Sequence, residues 1–216
     1  MQAPVLHTLR GQNLWLSGQR ALFWEEEKTL VVSDLHFGKT GHFRKSGIPV
    51  PQSVYKEDLQ RLVSLLHHFS PSRLLVVGDF FHSHANTELD WFKRWRSDFD
   101  SLRITLVRGN HDILKDAWYR EAAIDVVEPD LTLPPFLFSH DRCVDHPQHY
   151  TFCGHIHPGI AVHGLGRQSL RFPCFYFGER HCVLPAFSRF TGVALIDPAR
   201  HESVFAVVEG QLIKMQ

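Results

Sequence analysis

The sequence predicts an α/β fold in which parallel strands alternate with helices in the first half and a second, mixed sheet follows. Three observations predict this fold class. Short apolar runs of strand length recur along the chain, two of the intervals between them carry the helical period, and five of the runs are followed at once by Asp, Asn or His. Because parallel strands end at one edge of a sheet, these polar residues are expected to meet there.

The first predicted elements are a hairpin and a buried strand. The apolar runs 13–17 and 20–24 are separated by Gly18 and Gln19, which is typical of a hairpin turn. Residues 29–33 (TLVVS) are then the first buried parallel strand. The segment 37–51 contains three glycines and two prolines, so we expect a long loop there.

Two helices are expected to connect the first parallel strands. From Ser53, a candidate N-cap, apolar residues recur at spacings of four and three as far as Phe69, before strand 73–77. A capping-box pattern at 87–90 begins a second helix, which leads to strand 103–107 and has an apolar face formed by Phe92, Trp95 and Phe99. Two successive strand–helix–strand units imply right-handed crossovers and a parallel sheet.

Beyond residue 124 the helical period fades and short β-rich runs dominate. They lie at 131–138, 150–153, 170–177, 192–196, 203–208 and 211–214. We expect these runs to form the second sheet, packed against the first. With 216 residues and a hydrophobic content of 44%, the chain can bury a substantial core, and we predict a single domain over residues 1–216.

Composition restricts the classes of function. The 23 basic and 23 acidic side chains give zero formal net charge, so any polyanion would need a local patch. A signal-like N-terminus and a run of 18 apolar residues are both absent, and we predict a cytoplasmic protein with no membrane partner. The cysteines show no CxxC spacing, and we expect buried free thiols rather than a zinc site or a disulfide at Cys143, Cys153, Cys174 and Cys182.

The five polar clusters supply enough ligands for two metal ions. They are DLH at 34–36, GDFFH at 78–82, GNHD at 109–112, SH at 139–140 and GHIH at 154–157. Two adjacent dications repel, so a carboxylate must lie between them, and Asp79 is the natural bridge. Asp34 and His36 are two residues apart on an extended segment, which places both side chains on one side and suits them to one ion. The mixed nitrogen and oxygen set without thiolate favours manganese, iron or zinc over calcium or copper.

These motifs, in this order, resemble those of the calcineurin-like metallophosphoesterase superfamily over about residues 34–157. The segments DLHFGKTGHFRKSGIPVP at 34–51, GHIHPG at 154–159 and LPAFSRFTG at 184–192 are similar to the ligase-associated DNA damage response endonucleases of the PdeM type. The resemblance implies a four-layer α/β/β/α sandwich of two mixed sheets flanked by helices. It also implies a metal-dependent phosphodiesterase.

The resemblance implies a role for each ligand. One ion would be held by Asp34, His36 and His157, and Asp79 would bridge to a second ion held by Asn110, His140 and His155. His111 would be the general acid. Two departures from the family pattern leave alternatives open. His140 is followed by Asp141 where many members have Gly, so His146 or His149 is an alternative ligand, and Ser188 stands where a Gly is expected in the LPAFSRFTG motif.

His82 carries information about the substrate. Many phosphomonoesterase relatives have Asp at this position, whereas the double-strand-break repair nucleases of the superfamily resemble this chain in having His. A second imidazole can hydrogen-bond a substrate phosphate or the leaving group, so His82 favours phosphodiesters; the alternative is a histidine that only supports its neighbours.

Other residues near the clusters are candidate substrate contacts. Lys39, Arg44 and Lys45 follow the first cluster and Arg108 precedes Asn110, so each is a candidate for binding a substrate phosphate or, alternatively, a solvated surface residue. Aromatic residues near the site are candidates for stacking on unpaired bases or for the core, namely Phe37, Phe43 and Phe81.

The predicted function is a single-stranded DNA or RNA endonuclease in DNA repair with two divalent ions. Mn²⁺ is the first candidate, and Fe and Zn are alternatives. A metal-bridging hydroxide would attack phosphorus and His111 would protonate the leaving oxygen. The competing functions are a small-substrate phosphatase or nucleotide pyrophosphatase and, more remotely, a non-catalytic scaffold. The resemblance also implies partners, namely an ATP-dependent DNA ligase, an exonuclease and a helicase from the same gene cluster.

Overall fold

The computed structural model describes residues 2–39, 53–82, 87–141, 143, 145–164 and 168–215. Most of the predicted loop at 37–51 therefore lies outside the described residues, and so do the side chains of Ser53 and Thr87 that were expected to cap helices. Within the described ranges the chain forms two sheets and three helices.

The first sheet has seven strands that lie side by side in chain order. They are β1 (Val5–Leu9), β2 (Gln12–Ser17), β3 (Ala21–Trp24), β4 (Thr29–Ser33), β5 (Arg73–Val77), β6 (Arg103–Val107) and β7 (Ile124–Val127). Neighbours from β1 to β4 are antiparallel, and neighbours from β4 to β7 are parallel. The predicted hairpin and the three predicted parallel strands are confirmed, while β1 and β7 extend the sheet at its two edges.

Three helices cover one face of the first sheet. They are α1 (Ser53–Phe69), α2 (Thr87–Ser97) and α3 (Asp116–Glu121). The first two confirm the predicted helices, although Phe99 lies beyond the end of α2 and still packs against the same core. The described residues contain no helix after Glu121, so the described helices pack on the first sheet. The predicted fold class, two mixed sheets with flanking helices, is confirmed.

The second sheet is mixed, as predicted. Its strands are β8 (Asp130–Leu133), β9 (Phe136–Ser139), β10 (Tyr150–Cys153), β11 (Pro158–His163), β12 (Ser169–Phe177), β13 (His181–Val183), β14 (Ala194–Leu195), β15 (Ser203–Val208) and β16 (Gln211–Lys214). Strands β9, β10 and β13 are mutually parallel. The predicted β-rich run at 131–138 forms the hairpin of β8 and β9, because Pro134 and Pro135 interrupt it.

Alternation along the strands of the first sheet explains how the layers pack. In β4, Leu30 and Val32 face the helices, whereas Val31 faces the second sheet. Side chains of successive strand residues point to opposite faces, so a strand buried on both sides is continuously apolar. The core between the sheets includes Phe138 and Phe152 of the second sheet. The two sheets therefore pack face to face, which brings their strand ends together.

The cysteines partly contradict the sequence analysis. Cys143 and Cys153 form a disulfide with their Cα atoms 5.5 Å apart, whereas we expected free thiols at both positions. The remaining two cysteines, Cys174 and Cys182, are free and buried, as predicted. Sequence spacing could not reveal the pair because the loop after β9 returns to pack beside β10.

Among the described helices, none has the length and apolar content needed to cross a membrane.

Candidate metal centre and active site

The predicted ligands follow the carboxyl ends of strands in both sheets. Asp34, Asp79 and Asn110 follow β4, β5 and β6 of the first sheet, while His140 and His155 follow β9 and β10 of the second. Face-to-face packing brings these ends together, and the side chains form two groups in which the possible ligand atoms lie within 4.8 Å of one another. Each group draws residues from both sheets.

The first group contains Asp34, His36 and His157. The Nε2 atoms of His36 and His157 are 3.5 Å apart, and Nε2 of His157 lies 3.6 Å from Oδ1 of Asp34. That carboxylate oxygen is buried and has no hydrogen-bond partner among the described residues. A buried anionic oxygen in this state is costly unless a cation satisfies it, so the donor set fits a divalent metal ion.

The second group contains Asp79, His140 and His155. Nε2 of His140 is 3.5 Å from Oδ1 of Asp79, 3.3 Å from Nδ1 of His155 and 3.0 Å from Oδ1 of Asn110. The other carboxylate oxygen of Asp79 lies 4.0 Å from Nδ1 of His36 in the first group. Asp79 therefore lies between the groups, as a bridging carboxylate must.

The alternative ligands lie elsewhere. His146 and His149 contact each other, with their Nδ1 atoms 3.1 Å apart, and belong to neither group. Nδ1 of His146 also accepts hydrogen bonds from the backbone N–H groups of Gln148 and His149. The structure therefore favours His140 as the ligand from this part of the chain.

The predicted ligands have an uncommon backbone conformation. Five of them have positive φ, between 43° and 64°, namely Asp34, His36, Asp79, His155 and His157. Such residues cost free energy unless the surroundings enforce the conformation, and they concentrate at functional sites. The turns redirect each side chain from the strand direction toward the space between the sheets.

Two glycines of the motifs allow close approach to the ligands. Gly78 has a φ of 77°, and a Cβ atom there would overlap the imidazole of His140. A Cβ atom on Gly154 would overlap the Ser33 hydroxyl and lie 2.7 Å from Oδ2 of Asp34. No side chain fits at either position without displacing a ligand.

Two supporting residues have no assigned role in the sequence analysis. The Ser33 hydroxyl contacts Oδ2 of Asp34. Asp112 accepts hydrogen bonds of 2.9 Å from the backbone N–H groups of Phe81 and Gly109, which ties the turn after β5 to the turn after β6. Burial raises the pKa of Asp112 to about 7. The only signal in the sequence was its place as the last residue of GNHD.

His111 and His82 lie side by side at the metal groups. Their ring centroids are 4.2 Å apart, and the His36 ring is 5.2 Å from His82 and 5.8 Å from His111. The backbone N–H of His111 donates to Oδ1 of Asp79 at 2.9 Å, which fixes this turn. Lys39 is half-buried near the carboxylates of Asp79 and Asp34. Burial lowers the pKa of Lys39, and the two carboxylates oppose that effect.

The other predicted substrate contacts have different outcomes. Arg108 forms ion pairs with Asp116 and Glu128, and its contact with a substrate phosphate stays a prediction. Arg44, Lys45 and Phe43 lie outside the described residues. Two aromatic candidates for base stacking are buried in the core instead, namely Phe37 and Phe81.

Comparison with known proteins identifies the family. The model of the calcineurin-like phosphoesterases matches residues 27–179, more than half of the chain. The chain belongs to the calcineurin-like phosphoesterase family. It is a metal-dependent phosphoesterase, and its two groups of His and Asp are candidate metal-binding sites. The family predicted from the motifs is therefore confirmed.

One solved structure is similar over nearly the whole phosphoesterase. The crystal structure of the Pseudomonas putida nuclease MPE is 31% identical with a TM-score of 0.83, and the match covers 97% of this chain and 100% of that protein. This agrees with the endonuclease branch that the motifs resemble. The phosphoesterase Yfce from E. coli is 14% identical with a TM-score of 0.42, covering 84% of this chain and 88% of its own. No curated protein matches the sequence.

Replacing Gly154 of the phosphoesterase by alanine is expected to weaken metal binding and lower thermal stability. The added methyl group would collide with Ser33 and Asp34, in contact with the rigid end of β4. The matched control is Gly164→Ala, because a Cβ atom at Gly164 would come no closer than 3.7 Å to its neighbours. Manganese titration and thermal unfolding of both variants test this expectation. Equal behaviour of the two variants would contradict the packing argument.

The free energy of unfolding of the metal-free phosphoesterase should decrease as the pH is lowered, because of His36. Burial, the Lys39 ammonium and the neighbouring imidazoles lower the pKa of His36 from 6.5 to about 2. Between these values the unfolded chain binds a proton that the folded chain excludes. This contribution to stability is therefore fully present above the unfolded pKa and is lost progressively as the pH falls below it.

Urea unfolding of chelator-treated protein measures this loss. Between about pH 6 and 4, the wild type should lose about 1.4 kcal/mol per pH unit more than His36→Gln, which has no titrating imidazole at this position. Parallel pH profiles for the two proteins would show that His36 protonates as easily in the folded chain as in the unfolded chain.

Proposed function

We propose that this phosphoesterase is a Mn²⁺-dependent endonuclease that cleaves internal phosphodiester bonds of single-stranded DNA or RNA and acts in DNA repair. The observation that carries the proposal is the imidazole of His82 beside that of His111 at the metal groups. The similarity of the whole chain to a nuclease supports it.

The donor set fits two divalent ions. Asp34, His36 and His157 would hold one ion, and Asn110, His140 and His155 would hold the other, with Asp79 shared. Imidazole, carboxylate and amide ligands without thiolate suit Mn²⁺, and Fe or Zn are the alternatives. When bound, the ions supply Lewis acidity that activates water and stabilises negative charge on the phosphoryl oxygens.

Three side chains of the protein have proposed roles in proton donation and substrate binding. His111 donates a proton to the departing ester oxygen, and its position is fixed by the hydrogen bond from its backbone N–H to Asp79. His82 is close enough to contact the same oxygen or the phosphate itself, since its ring is next to that of His111. The ammonium group of Lys39 lies near Asp79 and Asp34 and could attract a neighbouring phosphate of the substrate.

His82 also favours a diester over a monoester. In many phosphomonoesterase relatives an aspartate at this position orients the catalytic histidine, whereas an imidazole can donate a hydrogen bond to a substrate phosphate or to the leaving oxygen. His82→Asp is therefore expected to lower the ratio of diester to monoester turnover. His82→Asn, which adds no charge, is the matched control. An unchanged ratio in His82→Asp would show that His82 does not select the substrate.

Circular single-stranded DNA provides the test of endonuclease activity. The protein is stripped with a chelator and restored separately with Mn²⁺, Mg²⁺, Zn²⁺ or Ca²⁺. Each form is assayed on circular single-stranded DNA, a bis-aryl phosphodiester and an aryl phosphomonoester. Because a circle has no ends, its cleavage requires an endonuclease. Turnover of the monoester alone would support a small-substrate phosphatase and exclude the nuclease, and turnover of none of the substrates would favour a scaffold.

The motif resemblance further supports partners in repair, and we propose a cytoplasmic location. We propose that the enzyme acts with an ATP-dependent DNA ligase, an exonuclease and a helicase encoded nearby. Inspection of the neighbouring genes and co-purification of tagged protein from DNA-damaged cells test this proposal. Absence of these genes and of any repair enzyme in the purified fraction would contradict it.

A further inference from the structure

The segment 184–192 (LPAFSRFTG) contains none of the proposed metal ligands, yet it is attached to one of them. The backbone N–H of Phe187 donates to the carbonyl oxygen of Ser33 at 2.7 Å, and that of Ser188 donates to the carbonyl oxygen of Asp34 at 3.2 Å. The segment therefore pairs with the turn at which β4 ends and Asp34 adopts a φ of 52°.

Two arginines hold the other side of this segment. Nη1 of Arg20 donates to the carbonyl oxygens of Ala186 and Ser188, at 3.2 and 2.8 Å. Nη2 of Arg61 donates to the carbonyl oxygen of Phe187 at 3.0 Å, and its guanidinium carbon lies 4.2 Å from the centre of the Phe187 ring. Consecutive carbonyl groups of the segment are thus fixed by guanidinium groups.

The Arg61 guanidinium is itself fixed by a buried carboxylate. Nη1 of Arg61 donates to Oδ1 of Asp58 at 2.6 Å, and the two side chains are only 9% and 4% exposed. The backbone N–H of Arg189 donates to the same carboxylate at 3.3 Å. Asp58 therefore contacts the segment directly and also through Arg61. Removing one partner of a buried ion pair leaves an uncompensated buried charge, which is costly. Asp58 and Arg61 are therefore expected to keep their positions and to hold the backbone groups that they contact.

We propose that Asp58 and Arg61 are positioning residues for the metal centre. They lock the segment 184–192, and the locked segment holds the backbone of Asp34 in the left-handed conformation that directs its carboxylate toward His36 and His157. Buried ion pairs add little net stability by comparison with apolar side chains, so stability alone does not account for this arrangement. The inference rests on the ligand role of Asp34 in the proposed function, and not on the nature of the substrate.

Asp58→Asn tests the inference, because the amide has nearly the shape of the carboxylate without its charge. The expected result is an affinity for one of the two Mn²⁺ ions that is about 10–100-fold weaker, as for other residues that orient metal ligands. Turnover of a bis-aryl phosphodiester should fall at limiting Mn²⁺ and recover at saturating Mn²⁺. The matched control is Asp125→Asn, which breaks the exposed pair between Arg103 and Asp125 and should leave Mn²⁺ affinity unchanged.

The outcomes separate positioning from stability. A lower unfolding temperature in chelator with unchanged Mn²⁺ affinity would overturn the inference. If Asp58→Asn does not fold, Arg20→Gln is measured in its place. Arg20 lies in the turn before β3, and the shorter glutamine side chain cannot bind the carbonyl oxygens of both Ala186 and Ser188. Asp34→Asn is measured in parallel and should weaken the same ion; wild-type binding of both ions in that variant would overturn the inference together with the ligand assignment. Failure to cleave circular DNA would affect only the nuclease proposal.

Discussion

Replacing His111 by alanine is expected to slow phosphodiester hydrolysis by about 10²–10⁴-fold while the protein still binds both metal ions. The side chain is the proposed proton donor to the leaving oxygen. Its backbone N–H, which donates to Oδ1 of Asp79, is retained in the variant, so the carboxylate between the two metal groups keeps its position. The measurements are kcat on a bis-aryl phosphodiester and the Mn²⁺ stoichiometry.

The choice of leaving group sharpens this test. A highly acidic phenol needs little protonation, so the loss of rate in His111→Ala should shrink as the leaving group becomes more acidic. His163→Ala is the matched control, because His163 is exposed at the end of β11. Loss of metal from His111→Ala would show that His111 supports the metal centre rather than the leaving group.

Replacing Asp79 by asparagine is expected to remove one ion and slow turnover by at least about 10³-fold. Two dications at the roughly 4 Å spacing of two-metal sites repel by about 16 kcal/mol at an effective dielectric constant of about 20. The Asp79 carboxylate lies near both ligand groups, 4.0 Å from Nδ1 of His36 and 3.5 Å from Nε2 of His140. A bound metal contributes several kcal/mol to transition-state stabilisation, and each 1.36 kcal/mol is a factor of ten in rate.

Mn²⁺ titration followed by metal analysis measures this effect. The asparagine oxygen can still accept the hydrogen bond from the His111 N–H, so the local fold should persist and the loss should be specific to the metal. Asp125→Asn, which removes an exposed carboxylate of the same sheet, should bind both ions. Two ions bound at unchanged affinity in Asp79→Asn would rule out the bridging role.

Much of the fold was predictable because local patterns and long-range packing agree. Strand β4 is continuously apolar because it is buried on both faces, and α1 shows the helical period because only one of its faces meets the sheet. Strands β11 and β13 were not predicted, since they are short or mixed in polarity and derive their stability from neighbouring strands. The expected cap at Ser53 stays a prediction.

The residues of the candidate site were predictable from the sequence, but the residues that hold them in position were not. The order of the motifs indicated the seven proposed ligands, and the structure brings them together. Arg108 looked available because it is adjacent to Asn110, but the fold places Asp116 and Glu128 beside it. Asp58 and Arg61 gave no signal on an amphipathic helix, where a polar residue usually faces solvent.

Local sequence patterns alone indicate which chemistry the chain can perform, because Asp, Asn and His at strand ends are ligand types whose spacing is local. The grouping of these residues into two candidate metal-binding sites depends on the tertiary structure, because it requires two sheets packed face to face and backbone turns with positive φ. The pairing of Arg108 with Asp116 and Glu128 likewise arises only in the folded chain. Ion pairs, burial and backbone strain depend on contacts between segments far apart in the chain, so local sequence patterns do not predict them.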